Sequence, residues 1–170
     1  MLGFIPITFC YQCMSKSGLI PLWTDSDVDR FYSYFVDRAN DKIFQMLSAA
    51  GEKYIGVARK SGSYKDHTGN LRSSVGYMVF KDGECVAENF EKSSNGTDKQ
   101  TGVTKARRLA KKIALEVGTG WVLVLTAGME YAARVEALGY DVAASGIIKS
   151  EEYLRETSKN LFDKLAKRGY

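Results

Sequence analysis

The sequence predicts an α+β fold: a long amphipathic N-terminal helix packed on a small, mainly antiparallel sheet with two further helices. Three observations lead there. After Thr24, apolar residues recur at three- and four-residue spacing through Ala58, the period of one helix face. Lys81-Asp82-Gly83 separates two short strand-like runs, and Asp-Gly accepts the positive φ angles of a tight hairpin. Trp121 to Ala127 is a near-continuous apolar run, which suits a central strand covered on both faces.

Each element has a local cause. Thr24, Asp25 and Ser26 offer oxygens to the free amides of a first helical turn, and Asp27 suits its positive end. The helix they start is expected over 25–59, with Val28, Phe31, Phe35, Ala39, Ile43, Met46, Leu47, Ala50, Tyr54, Val57 and Ala58 inward. Gly51 and Gly56 weaken its last third and mark a bend or a close contact. Ser61-Gly62-Ser63 ends it. A short segment over Asn70 to Ser73 precedes strands at Ser74 to Phe80 and Cys85 to Phe90. The polar stretch Glu91 to Gly102 predicts a mobile loop. A second helix is expected over Val103 to Val117, with Ala106, Leu109, Ala110, Ile113 and Val117 on its inner side. Tyr131, Val135 and Leu138 suggest a short helix or bent strand closed by Gly139. Ser150 caps a final helix with Leu154, Leu161, Phe162 and Leu165 inward.

Composition bounds the function. The 170 residues, 45% hydrophobic and 26% charged, suit one globular domain over 24–170, and exclude a disordered chain, a collagen or a rod. Residues 1–23 are expected to form an apolar arm that packs on the domain or on a neighbour, with Met14 an alternative start. The uncharged stretch is too short to span a bilayer and lacks a signal peptide's basic start, so no membrane association is expected. Three cysteines, an odd number, argue against a secreted disulfide scaffold. A net charge of +4 permits nucleic-acid contact without demanding it.

The candidate chemical groups are few. Cys10-x-x-Cys13, with His67 and Cys85, supplies the four ligands a tetrahedral zinc wants. A strong zinc signal has two such pairs, so buried apolar thiols are the plainer reading. His67, the sole histidine, lies in a polar loop near Ser73 and Ser74, with no Gly-x-Ser-x-Gly elbow to support a nucleophile. Glu130, Glu136 and Asp141 follow the expected central strand; Glu136 is expected to pair with Arg134 or a neighbouring chain. Gly118-Thr119-Gly120 follows a helix and precedes a strand, the reverse of a phosphate-binding order. No catalytic set and no cofactor are expected. Lys105, Arg107, Arg108, Lys111 and Lys112 form a basic helix wall with no acid between Thr101 and Leu115. Most such walls are simply solvated; the functional version faces phosphates.

Thr68-Gly69-Asn70-Leu71-Arg72-Ser73-Ser74, followed by Val75-Gly76-Tyr77, resembles a signature of the bacteriophage head–tail joining family, the neck or tail-completion proteins of siphophages. Val124 to Glu136, then Gly139-Tyr140-Asp141-Val142, resembles the family's second block, with Tyr131, Val135 and Glu136 in place. The likeness covers about residues 25 to 168; the apolar stretch before Trp23 departs from it. It implies a structural protein, not an enzyme: a ring subunit between head connector and tail, made in the bacterial cytoplasm and carried in the virion. Its partners are then other copies of itself, head-connector and tail proteins, and passing DNA. The hairpin's two apolar faces (Tyr77 and Val79, Met78 and Phe80) suit a sheet with one side against a neighbour. The Glu91 to Gly102 loop is expected to order on assembly. A small basic nucleic-acid-binding domain using Lys105 to Lys112 is the alternative.

Overall fold

A computed structural model describes residues 22–167, leaving out the side chains of residues 165 and 166. The element order is α1 (Asp25–Ser61), α2 (Asn70–Ser73), β1 (Val75–Lys81), β2 (Glu84–Asn89), α3 (Gln100–Val117), β3 (Trp121–Ala127), α4 (Ala132–Ala137) and α5 (Ala144–Lys167). This is the α+β class expected. The chain packs as two units divided inside α1, after Asp41. Residues 1–21, including Cys10, Cys13 and Met14, lie outside the described residues, as does the expectation for Leu165.

In the first unit, α1 opens on a reciprocal cap. The Thr24 amide donates to Asp27 Oδ2 at 3.0 Å, and the Asp27 amide donates to Thr24 Oγ1 at 3.3 Å. Each residue thereby satisfies a donor that the helix start leaves free. The apolar residues that follow do not become core: Val28, Phe31 and Phe35 are exposed, together with Tyr32 and Tyr34. Periodicity shows that a helix has an apolar side; it does not supply something to cover it.

In the second unit, α1 is buried at Ala50, Gly51, Tyr54, Ile55 and Ala58. The sheet order is β2-β1-β3, antiparallel throughout, so β1 is the central strand and β3 an edge. The sequence expected β3 at the centre. β1 is equally apolar, and strand order depends on pairing that no local pattern records. Val75, Tyr77 and Val79 pack with Tyr54, Ile55, Ala58 and Ala143 on one face. Met78 and Phe80 pack with Ala110, Ala114 and Val124 on the other. Both faces of β1 are therefore covered by the chain's own helices, and neither is left for a neighbour as the sequence reading supposed.

Asp82 (φ 52°) and Gly83 (φ 84°) form the hairpin turn that Asp-Gly predicts. A bulge interrupts the β1–β2 register between Val79 and Phe80. Gly51 is a close contact: a Cβ there would stand 2.4 Å from the Tyr77 ring, whereas one at Gly56 meets nothing within 4 Å. α3 is rotated from expectation, with Ala114 buried while Leu109 and Val117 are exposed. α5 starts at Ala144, so Ser150 is a buried mid-helix residue and not its cap; Phe162 is exposed and Leu161 is only partly covered.

Candidate functional site

The first motif is a junction at which five pieces of chain are tied. Gly69 takes φ +80°, and α2 follows as one short turn. Asn70, buried, aims outward from that turn. Its Oδ1 accepts the Gly102 amide at 2.8 Å, and its Nδ2 donates to Asp98 Oδ2 at 3.3 Å. Asp98 Oδ1 in turn accepts the Thr101 amide at 3.3 Å. The free amides at the start of α3 are thus capped by one local and one distant side chain. Those hydrogen bonds, from Thr101 first and Asn70 next, hold the Asp98 carboxyl below the usual range.

Arg72 closes the other end of α1. Its guanidinium donates to the Arg59 and Gly62 carbonyls and lies 5.4 Å from the Tyr64 ring centroid, a cation at a helix C-terminus. Asp66 Oδ2 accepts the Arg72 amide at 3.0 Å. Ser73 Oγ donates to the Gly69 carbonyl and accepts the Ser93 amide at 2.8 Å. Ser74 Oγ donates to the Leu71 carbonyl at 2.7 Å, and the Ser74 carbonyl accepts the Gly128 amide at 3.2 Å. The Asp98 amide donates to the Thr68 carbonyl at 3.0 Å.

Two glycines let this crossing close. A Cβ on Gly69 would stand 2.4 Å from the Asn95 carbonyl oxygen, and one on Gly96 would stand 2.3 Å from Gly69 N and the Thr68 carbonyl. The loop expected to be mobile is therefore laced to the motif at Ser93, Gly96 and Asp98. Its polar composition gave only half the picture, because polar residues also serve as partners.

The second block meets the first. Leu71 and Tyr64 pack with Met129, Ala132 and Val142, with Val135 against them. Tyr131, partly exposed, stands beside Thr68; burial first and Asp66 next raise its phenol, against the Thr68 hydrogen bond and Lys105. Gly139 (φ 89°) ends α4. Glu136 forms no ion pair with Arg134 among the described residues: its Oε1 accepts the Ala143 and Ala144 amides at 3.3 and 2.8 Å, capping α5. Asp141 Oδ1 adds the Ser145 amide at 3.2 Å. Glu130 pairs with Lys105 at 3.0 Å. Each of the three carboxylates thus has a capping or pairing task.

The basic wall is divided. Lys105 is paired with Glu130, and Arg107 grips Glu88 through two nitrogens at 3.1 and 2.6 Å while lying over the Phe90 ring. Arg108, Lys111 and Lys112 are exposed, with no hydrogen bond or ion pair among the described residues. Glu88 and Glu130 come from β2 and the turn between β3 and α4, distant in sequence, so the helix alone concealed them.

His67 is exposed. Cys85 is exposed and not a buried thiol as the plainer reading had it; burial foremost still raises its thiol. No group of three or more metal-ligating side chains occurs among the described residues, and Cys10 and Cys13 lie outside them. An open groove of about 710 Å³ between α1 and α5 is lined by Lys53, Gly56, Val57, Lys60, Lys149 and Tyr153, among others. Two of its lysines are engaged, Lys149 with Glu152 at 2.7 Å and Lys53 over the Tyr153 ring. No helix among the described residues is long and apolar enough to cross a membrane.

Set against family models, curated proteins and solved structures, the chain matches none.

Proposed function

We propose that the chain is a structural subunit of the phage head–tail junction, a neck or tail-completion protein that assembles with copies of itself into a ring between head connector and tail. It acts in the virion, after synthesis in the host cytoplasm, and uses no cofactor. The observation that carries this reading is the use to which both resembling blocks are put. In Thr68 to Ser74 and Val124 to Val142, Asn70, Arg72 and Glu136 cap or close helix ends, and Leu71, Met129, Ala132 and Val142 share a small core. A motif whose chemistry is consumed in holding elements together suits a protein whose work is to keep a shape under load. Deleting the gene tests it. Full heads and free tails, unjoined and rescued by the gene in trans, are expected; joined, infectious particles refute the reading.

A second reading has its own observation. Arg108, Lys111 and Lys112 form an unpaired cationic face on α3, which suits sequence-independent contact with DNA phosphates. Three such contacts give a salt slope of about −2.7 on duplex DNA. Reversal of these three charges should then abolish a gel shift that reversal at paired Arg107 merely weakens. A subunit that only lines a channel binds DNA weakly as a free chain.

A further inference from the structure

We propose that the first third of α1 is a self-association face, covered by the same segment of a second copy lying antiparallel to it. Phe31, Tyr32 and Phe35 are 66%, 68% and 61% exposed, and Val28 and Tyr34 flank them. Isolated exposed aromatics are ordinary; five large apolar residues within eight positions of one helix mark an interaction surface.

Area and charge point to the occupant. An aromatic side chain carries roughly 150–250 Å², so the exposed parts of the three most open rings offer about 400 Å² per copy. That is near half of one partner's share in a standard interface, and Val28 and Tyr34 add to it.

The charge pattern is self-complementary in one direction only. Asp27 and Arg38 are eleven residues apart, close to three full turns, which puts them on one flank of the aromatic face. Their midpoint falls between Tyr32 and Ser33, at the centre of the apolar cluster. An antiparallel copy centred there sets Asp27 beside the partner's Arg38 at both ends and brings Phe31 level with the partner's Tyr34, one residue from its Phe35. A parallel copy puts that flank against the partner's opposite flank, so Asp27 and Arg38 gain no such partners from each other. The present contacts do not block the pairing. Asp27 and Arg30 form an exposed pair at 3.3 Å, and Arg38 donates to the Tyr34 hydroxyl at 3.0 Å and lies over its ring.

This contact is isologous and closes at two copies, unlike the head-to-tail contact of a ring. It holds whether or not the chain is a virion subunit, and gives a free chain a way to keep the face out of water.

Sedimentation velocity on the full chain, from about 1 to 100 µM, brackets the micromolar affinity that an interface of this modest size supports. A monomer–dimer equilibrium is expected within that range. The double variant Phe31→Gln, Phe35→Gln should be monomeric throughout with unchanged far-ultraviolet circular dichroism, since both side chains are exposed. Arg38→Glu should weaken the dimer about tenfold at low salt, because it faces Asp27 twice. A wild-type monomer at the top concentration overturns the proposal, as does an oligomer indifferent to Phe31 and Phe35. A dimer indifferent to Arg38→Glu overturns the antiparallel pairing.

Discussion

Replacing Asn70 by alanine removes the side chain that joins the first motif to α3. Its Oδ1 accepts the buried Gly102 amide at 2.8 Å, and its Nδ2 reaches Asp98. Loss of a helix cap costs about 1 kcal/mol where water can replace it. Gly102 is buried, and a Cβ there would stand 2.2 Å from the Asn70 carbonyl oxygen. Water has little room, so the stranded donor raises the cost to about 2–3 kcal/mol. In a domain of this length that lowers the melting midpoint by about 5–10 °C. Differential scanning calorimetry on Asn70→Ala, with Thr104→Ala on the exposed side of the same helix as control, measures it. The control should shift by under about 0.5 kcal/mol. A drop at Asn70 no larger than at Thr104 would refute the view that this motif is a structural junction.

Four further outcomes follow from the same geometry. Gly69→Ala should cost at least about 3 kcal/mol in urea unfolding, because φ +80° is compounded by a backbone oxygen at 2.4 Å; Gly83→Ala, at φ +84° in open space, should cost about 1 kcal/mol. Glu136→Ala leaves the Ala143 and Ala144 amides without their acceptor and should destabilise by about 1 kcal/mol, with hydrogen exchange accelerated first at the start of α5. Burial, with Glu52 behind it, pushes the Tyr77 phenol up to about 12, and burial raises Tyr54 further. Their unfolded values lie near 10, so the stability they carry is intact below pH 10 and is lost as pH rises towards 12. Tyr77→Phe should flatten that alkaline limb. At the acid end Asp27 and Asp98 are held low by hydrogen bonds. Their contribution is present above about pH 4 and fades below it, which acid titration of the melting midpoint reads.

What the sequence made legible was whatever is decided within a turn or two of chain. The Thr24 to Asp27 cap, the Asp82-Gly83 hairpin and the Trp121–Ala127 strand limits all rest on neighbours in sequence. The choice of β1 over β3 as central strand does not, since both read as apolar runs. Ser150 looked like a cap because it is a serine near a helical pattern, but Glu136 and Asp141 had already satisfied the amides further back. In α3 the spacing favoured Leu109, yet the sheet surface accepts Ala106, Ala110 and Ala114, whose small side chains let the helix approach. Gly128 shows the same closeness, with a Cβ there 2.3 Å from Ala106 Cα. For the site, Asn70, Arg72 and Ser73 stand out in the sequence, whereas the partners they hold in the structure do not. Asp98, three residues before Thr101, was a capping signal available in the loop. Glu88 and Glu130, which pair with two of the wall's five cations, left no local mark.

Quantitative mass spectrometry of purified phage particles, from infection or from induction of a bacterium carrying the gene, bears most directly on the proposed junction role. Peptides of this chain at a few to a dozen copies per particle, the stoichiometry of a symmetric ring, are the expected result. Clean, infectious particles devoid of the chain would contradict it and leave the Arg108, Lys111 and Lys112 face as the lead to follow.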